Sequence, residues 1–214
     1  MALEFHRRSI RLRGYDYTRQ GAYFVTVCTQ GRRRLFGTVV NGRMALNDAG
    51  RMVQTVWNEL PAHYPGVAID AFVVMPDHIH GVVWLCDPVG AGPRACPVVG
   101  GNGGGEGQAQ GPAPTTKPMS LPDVVHRIKT LATKRYIDGV SQCGWPRFPG
   151  KMWQRNYYEI IVRDPRALAN IRAYIRDNPA QCDIVRYGEP RIMVGNRALL
   201  DLPKTAFLAS RGGV

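Results

Sequence analysis

Two histidines separated by one residue, His78 and His80, are the side chains in this sequence best suited to hold a divalent cation. An apolar run surrounds them, which predicts a strand, and side chains alternate along a strand. Both imidazoles therefore point to one face, from positions about 7 Å apart along the chain, while Ile79 points into the core. Gly81 is expected to leave room for a backbone or a phosphate. Histidines at this spacing also occur as exposed strand residues, but half-buried imidazoles without a partner are costly, which favours a metal.

A second reactive group, the phenol of Tyr174, lies on a predicted helix. Asn178 is four residues further on, so the two side chains share one helical face, which adjoins the apolar positions Ile171 and Ile175. If the sheet meets this face, a phenol, an amide and two imidazoles could converge on one ion. A phenol has an ordinary pKa of about 10 and needs nearby positive charge to act as a nucleophile. The alternative is that Tyr174 packs near a helix end and Asn178 caps it.

Residues 152–159 interleave aromatic side chains with an arginine and amides. This pattern suits stacking on unpaired bases, because every base presents a π face. Core packing explains one of the aromatic residues equally well, and either adjacent tyrosine could be the nucleophile on chemical grounds. We expect DNA contacts here from Trp153, Gln154, Arg155, Tyr157 and Tyr158.

The charge of the chain also favours a polyanion, since 28 Lys and Arg against 16 Asp and Glu give a net charge of +12. Nucleic acid fits best, because phosphate neutralisation releases condensed counterions. A solvated basic surface is the alternative. A helix capped by Ser120 carries a basic stripe over an apolar one, and we expect it to contact phosphate through Arg127, Lys129, Lys134 and Arg135.

Several elements must position these groups. Strands are predicted at 22–29, 67–75, 79–86 and 156–162, with Pro76-Asp77 as the break between the middle two. A helix capped by Asn47 or Asp48 follows the first strand, and another begins at Asp164-Pro165. This last helix should end near Asn178, because Pro179 follows.

The order of elements predicts an α+β domain, with a mainly antiparallel, ferredoxin-like or RRM-like sheet and helices packed on one face. A single domain over 1–214 is expected. Residues 88–117 contain nine Gly and five Pro, which predicts a flexible insertion. The tail at 183–214 is weakly patterned, and no chemistry is assigned to it.

Three motifs, in this order, resemble those of one known family. The segment 75–80 (Met-Pro-Asp-His-Ile-His) resembles the His-hydrophobic-His signature of HUH enzymes. Residues 153–158 and 174–179 resemble the later segment and the tyrosine motif of REP-associated tyrosine transposases, which are single-tyrosine HUH enzymes similar to the insertion-sequence 200 type. The match covers roughly Arg13 to Cys182. The sequence departs from these relatives in its long insertion and at Ile160, where many carry a basic residue or His.

The resemblance implies a role for each motif. His78 and His80 would hold Mg²⁺ or Mn²⁺, with Asn178 where relatives use a glutamine, and Tyr174 would be the nucleophile. The resemblance, rather than the spacing, selects Tyr174 over Tyr157 and Tyr158. The implied substrate is single-stranded or hairpin DNA, such as repetitive extragenic palindromes, and the implied state is a monomer or homodimer.

The expected function is therefore a DNA endonuclease and strand transferase that forms a 5′-phosphotyrosine. Two alternatives stay open: a catalytically inactive RRM-like protein that binds nucleic-acid hairpins, and a metal-dependent phosphoesterase that uses water. The N-terminus has no apolar core of signal-peptide length, and no stretch approaches the roughly 18 apolar residues of a membrane span. We expect a cytoplasmic protein without membrane contacts.

Overall fold

The computed structural model describes residues 12, 14–86, 118–184, 193–194 and 197–198. The predicted insertion at 88–117 and most of the predicted tail at 183–214 lie outside these residues. The strands are β1 (Gly21–Cys28), β2 (Gly37–Val40), β3 (Arg43–Leu46), β4 (Val67–Val74), β5 (His78–Leu85), β6 (Tyr158–Val162), β7 (Met193–Val194) and β8 (Arg197–Ala198). The α-helices are α1 (Asp48–His63), α2 (Leu121–Cys143) and α3 (Pro165–Ile184), and a 3₁₀ helix covers Gln30–Arg32. Within the described residues, no helix combines the length and apolar composition that a membrane span requires.

Four strands form one antiparallel sheet in the order β4-β5-β1-β6. With the β2–β3 hairpin set aside, this order and the sequence of strands and helices are those of the ferredoxin-like fold. The predicted α+β class with a mainly antiparallel sheet is therefore confirmed. Helices α1 and α2 pack on one face, as expected, whereas α3 packs on the opposite face, which the prediction of helices on one face did not include. We call these the α1/α2 face and the α3 face.

Strand β1 lies at the centre of the sheet and is apolar on both sides. Tyr23, Val25 and Val27 belong to the core on the α1/α2 face, whereas Ala22 and Phe24 belong to the core on the α3 face. A continuous apolar run is what a strand covered on both faces requires.

The predicted helix starts are confirmed by their hydrogen bonds. The side chain of Asn47 accepts from Gly50 N at the start of α1. Ser120 and Asp123 form a reciprocal capping box at the start of α2. Asp164 Oδ1 accepts from Ala167 N at 2.7 Å and so caps α3.

The predicted end of α3 near Asn178 is wrong, because the helix continues through Pro179 to Ile184. A proline inside a helix removes one backbone hydrogen bond and normally costs about 3 kcal/mol. Here Pro179 is buried, and the helix contacts the β2–β3 hairpin, where Ala180 lies beside Gly42. Tertiary packing therefore outweighs the local signal.

The β2–β3 hairpin is an element that was not predicted from the sequence. Its turn is Asn41-Gly42, and both residues have positive φ, 50° and 70°. An Asn-Gly pair between short strands is a strong signal for a two-residue hairpin turn, because both positions must adopt positive φ. The information was thus present in the sequence.

Gly81 leaves room for an indole rather than for a phosphate, which corrects the expectation. A Cβ at this position would clash with Cη2 of Trp57, on the α1/α2 face. Trp57 stacks on Phe72 with ring centroids 4.3 Å apart. The glycine therefore permits close packing behind the histidine strand.

We expect Gly81→Ala to lower the free energy of unfolding by about 1–3 kcal/mol, because overpacking forces the indole or the strand to move. Urea denaturation of the two proteins measures the difference. In a Trp57→Leu background the same change should cost less, since the clashing atoms are gone. Equal losses in both backgrounds would contradict this explanation.

Candidate metal and nucleophile site

Strand β5 places His78 and His80 on the α3 face of the sheet. Ile79, between them, is buried in the core under α1 and α2, so the two imidazoles point the other way. Both histidines are buried, with exposures of 6% and 1%. Their Nε2 atoms lie 3.0 Å apart. The structure thus places the two Nε2 atoms side by side.

The opposite nitrogen of each ring is bonded to a neighbouring side chain. His78 Nδ1 lies 2.6 Å from Asp77 Oδ1, and His80 Nδ1 lies 2.8 Å from Thr26 Oγ1 on β1. A carboxylate beside Nδ1 favours the tautomer that keeps the proton there and leaves Nε2 with a free lone pair. These partners orient both rings so that their Nε2 atoms face each other.

Burial also favours the uncharged form of both histidines. It lowers the pKa of His80 well below its usual value, and the neighbouring His78 lowers it further. Burial lowers the pKa of His78 as well, although the hydrogen bond to Asp77 opposes the change. Neutral imidazole is the form that binds metal ions.

The spacing of the two nitrogens fits one metal ion. Two imidazoles bound at about 2.1 Å, at nearly a right angle, hold their nitrogens about 3 Å apart, as observed here. Among the described residues, no group of three or more His, Cys, Asp or Glu side chains is placed to hold a metal. The chain therefore offers two nitrogens, and an amide, phosphate and water would complete the ligands of an ion such as Mg²⁺ or Mn²⁺.

Helix α3 places Tyr174 directly against this pair. Its hydroxyl lies 3.4 Å from His80 Nε2, and only 7% of the residue is exposed. Phe24 on β1 packs against both rings, with centroids 5.5 Å from His80 and 6.1 Å from Tyr174. The phenol comes from the same chain as the imidazoles, so one chain assembles the whole group.

Asn178 lies one turn later on α3 and contacts the phenol. Burial raises the pKa of Tyr174, while a hydrogen bond from Asn178 and the charge of Arg32 oppose this increase. An amide that donates to the phenol oxygen stabilises the phenolate. The structure thus places Asn178 beside the candidate nucleophile, and its role as a metal ligand stays a prediction.

An ion pair fixes α3 to the sheet near the phenol. Arg172 donates to both carboxylate oxygens of Asp70 on β4, from Nε at 2.9 Å and from Nη2 at 2.6 Å. Trp84 Nε1 on β5 donates to the same carboxylate at 3.2 Å. Burial alone would raise the pKa of Asp70, but hydrogen bonds from Arg172, Trp84 and the Ala71 amide hold it below 3.8. The charged carboxylate therefore stabilises the position of the tyrosine helix.

We expect Asp70→Asn to lower the free energy of unfolding by about 1–3 kcal/mol at neutral pH, because charge-assisted hydrogen bonds are lost. The depressed pKa of Asp70 means that its contribution is present above the ordinary carboxyl pKa and disappears as the pH falls through the lower folded-state value. The two proteins should therefore converge in acid, which urea denaturation at several pH values measures. Asp177→Asn, at the exposed pair with Arg176, should cost less than about 0.5 kcal/mol. A difference between the proteins that persists in strong acid would contradict this assignment.

Two of the aromatic side chains expected to stack on DNA bases are core residues. Trp153 and Tyr157 are each only 5% exposed and belong to the core on the α1/α2 face. Trp153 packs on Phe36, with centroids 5.4 Å apart. Because protein atoms cover both rings, base stacking by them does not fit this structure.

The neighbouring residues are better placed for contact with a substrate. Tyr158 pairs with Thr26, which pairs with His80, so Tyr158 lies in the same cross-strand row on the α3 face. Gln154 is partly exposed and Arg155 is exposed, and Gln154 N donates to the Cys28 carbonyl at the end of β1. Gln154 and Arg155 therefore lie beside the end of the sheet at which β5 begins.

The basic residues of α2 lie away from the histidines, because α2 packs on the opposite face. Lys129 Nζ donates to the carbonyls of residues 154–156 at 2.8, 3.1 and 3.1 Å, so it orders that segment. Arg135 pairs with Glu59 at 2.6 Å. Phosphate bound along α2 would be remote from Tyr174. The two exposed members of this set are Arg127 and Lys134.

Arg32 is a site residue whose individual role the sequence did not indicate. In the sequence it is one of three consecutive arginines at 32–34, and in the structure its Nε lies 2.9 Å from Asp77 Oδ2, beside His78. The two partners are far apart in the sequence, and no local pattern links them. Only the folded sheet brings them together.

Comparison with known proteins places this chain among bacterial relatives. No protein-family model matches it. An uncharacterized protein of Haemophilus influenzae is 35% identical over 177 residues, which are 81% of this chain and 88% of that protein. A protein of the same organism with the provisional name REP-associated tyrosine transposase is 24% identical over 166 residues, 78% of this chain and 74% of that protein. A solved structure of a REP-associated tyrosine transposase bound to a REP hairpin is 20% identical, with a TM-score of 0.48 over 81% of this chain and 74% of that one. The second of these sequence matches confirms the resemblance noted from the motifs.

Proposed function

Because the chain belongs to one family with the uncharacterized Haemophilus influenzae protein and is a relative of the REP-associated tyrosine transposases, we propose that it cuts and joins single-stranded DNA. Its substrate is a hairpin or palindromic DNA, recognised by sequence or structure. The reaction passes through a 5′-phosphotyrosine and needs a divalent metal. The observation that carries this proposal is the 3.4 Å contact between the Tyr174 hydroxyl and the imidazole pair.

His78 and His80 would hold the metal through Nε2, with the Asn178 amide as a further ligand candidate. When bound, a divalent ion such as Mg²⁺ or Mn²⁺ polarises the scissile phosphate and offsets the charge that develops on it. Asp77 and Thr26 keep the rings oriented through their contacts with the Nδ1 atoms. Phe24 and the imidazoles are almost completely buried, so the rings are shielded from bulk solvent.

Tyr174 supplies the nucleophile. Its phenol oxygen loses a proton and forms a bond to phosphorus, while the bond to the 3′ oxygen breaks and that oxygen gains a proton. The chain is then linked to the 5′ end of the cut strand, and the other end is a free 3′ hydroxyl. A 3′ hydroxyl from another strand reverses the step and joins the ends. No nucleotide cofactor is needed, because the phosphodiester energy is retained in the covalent link.

The substrate reaches this site from the end of the sheet at which β5 begins. Arg155 and Gln154 lie at this end, and Tyr158 lies in the cross-strand row next to Thr26. The net charge of +12 attracts the phosphate backbone at longer range. One chain contains both the phenol and the imidazoles, so a monomer suffices for the chemistry. A DNA substrate is consistent with the expected cytoplasmic location.

The test is incubation of the protein with end-labelled single-stranded hairpin DNA and Mn²⁺ or Mg²⁺, followed by a denaturing gel. A labelled band at the mass of protein plus DNA is expected, and mass spectrometry of its peptides should locate the nucleotide on Tyr174. Cleavage without a linked band would instead support a phosphoesterase that uses water. Binding without cleavage would support the inactive hairpin-binding protein.

A further inference from the structure

Arg32 connects the end of β1 to the start of β5. Its Nε lies 2.9 Å from Asp77 Oδ2, and its Nη1 donates to Cys28 Sγ at 2.9 Å. Cys28 is the residue of β1 that pairs with His78. The guanidinium therefore lies across the two strands beside the first histidine, and its planar fork holds two partners at once.

The backbone at Arg32 is held in an unfavourable conformation. Its φ is 54°, a left-handed backbone value that residues other than glycine and asparagine rarely adopt. Gly31 before it has φ 66°. Thr29 holds the turn in place, because its carbonyl accepts from Arg32 N at 3.1 Å and its own amide donates to the Asp77 carbonyl at 2.9 Å. Strain of this kind persists where the surrounding structure needs the side chain in one place.

The carboxylate of Asp77 passes this constraint to the histidine. One oxygen contacts Arg32, and the other lies 2.6 Å from His78 Nδ1. A carboxylate held at both oxygens cannot rotate away from the ring. We propose that Arg32 is a positioning residue of the metal site, which fixes Asp77 so that His78 directs its Nε2 lone pair toward His80 and Tyr174.

This role can be distinguished from a simple effect of charge. A guanidinium beside the site repels a divalent cation, so its removal would tighten metal binding if charge alone mattered. If Arg32 positions His78 through Asp77, its removal must weaken metal binding instead. The two explanations therefore predict opposite signs.

The experiment is isothermal titration of the full-length protein with Mn²⁺, without DNA. Arg32→Gly suits the left-handed backbone and removes only the side chain, and Arg32→Asn tolerates the same conformation. Both should bind Mn²⁺ about 10–100-fold more weakly than the unchanged protein. Arg34→Gln removes the same charge from an exposed position two residues away and should leave the affinity unchanged.

Equal or tighter Mn²⁺ binding by both Arg32 variants would overturn the proposal, and so would an equal weakening in Arg34→Gln. The inference rests on the metal site of the proposed function but not on DNA cleavage. If the unchanged protein binds Mn²⁺ and forms no DNA adduct, the proposed function fails while this result stands.

Discussion

The Tyr174→Phe variant should form no covalent link to DNA and should cut hairpin DNA more than about 1,000-fold more slowly than the unchanged protein. Phenylalanine keeps the ring that packs on Phe24 and His80, so the fold should be retained. Only the hydroxyl 3.4 Å from His80 Nε2 is lost. Time courses on denaturing gels measure both the linked band and the cut strand.

Tyr158→Phe is the matched control, because Tyr158 lies on the same face of the sheet in the row that contains His80. It should still form the adduct. If Tyr174→Phe forms the adduct and Tyr158→Phe or Tyr157→Phe does not, the nucleophile has been assigned to the wrong residue.

His80→Ala should reduce cleavage by about 100–1,000-fold, since an electrostatic contribution to the transition state is lost. The Kd for hairpin DNA should change by less than about threefold, because contacts with the phosphate backbone dominate affinity. His78→Ala should behave in the same way. Cleavage assays and fluorescence anisotropy, both with Mn²⁺ present, separate the two quantities.

His63→Ala provides the matched control, since it removes an exposed imidazole at the end of α1. Both its cleavage and its binding should equal those of the unchanged protein. A loss of DNA affinity by His80→Ala as large as its loss of cleavage would show that the imidazoles act in binding rather than in chemistry.

Periodicity was sufficient to predict the parts of the fold that depend on local pattern. Alternation along β5 placed Ile79 in one core and the two histidines on the other face, and the caps at Ser120 and Asp164 marked helix starts. Local pattern failed at Pro179, where contact with the β2–β3 hairpin keeps α3 helical. A proline in the sequence indicates only the free-energy cost to the helix and not the tertiary contacts that offset this cost.

The candidate site was harder to predict, because its geometry depends on which face each residue reaches. Trp153 and Tyr157 have the residue types of a base-stacking surface, yet they fill the core under α1 and α2. The sequence could not reveal this, since aromatic side chains serve both purposes. The choice of Tyr174 came from the family resemblance, and the structure places its hydroxyl beside His80; its catalytic role stays a prediction.

The third helix has a consequence for how a nucleic acid can approach. In four-stranded sheets of this topology that bind RNA, aromatic side chains on the uncovered surface stack on successive bases. Here α3 occupies that surface, and Phe24, which points toward it, is 1% exposed. A strand of nucleotides therefore cannot lie flat across these β-strands. If the protein acts on DNA as proposed, the scissile phosphodiester meets the site at the rim of this layer, and bases laid flat on the sheet contribute nothing to selectivity.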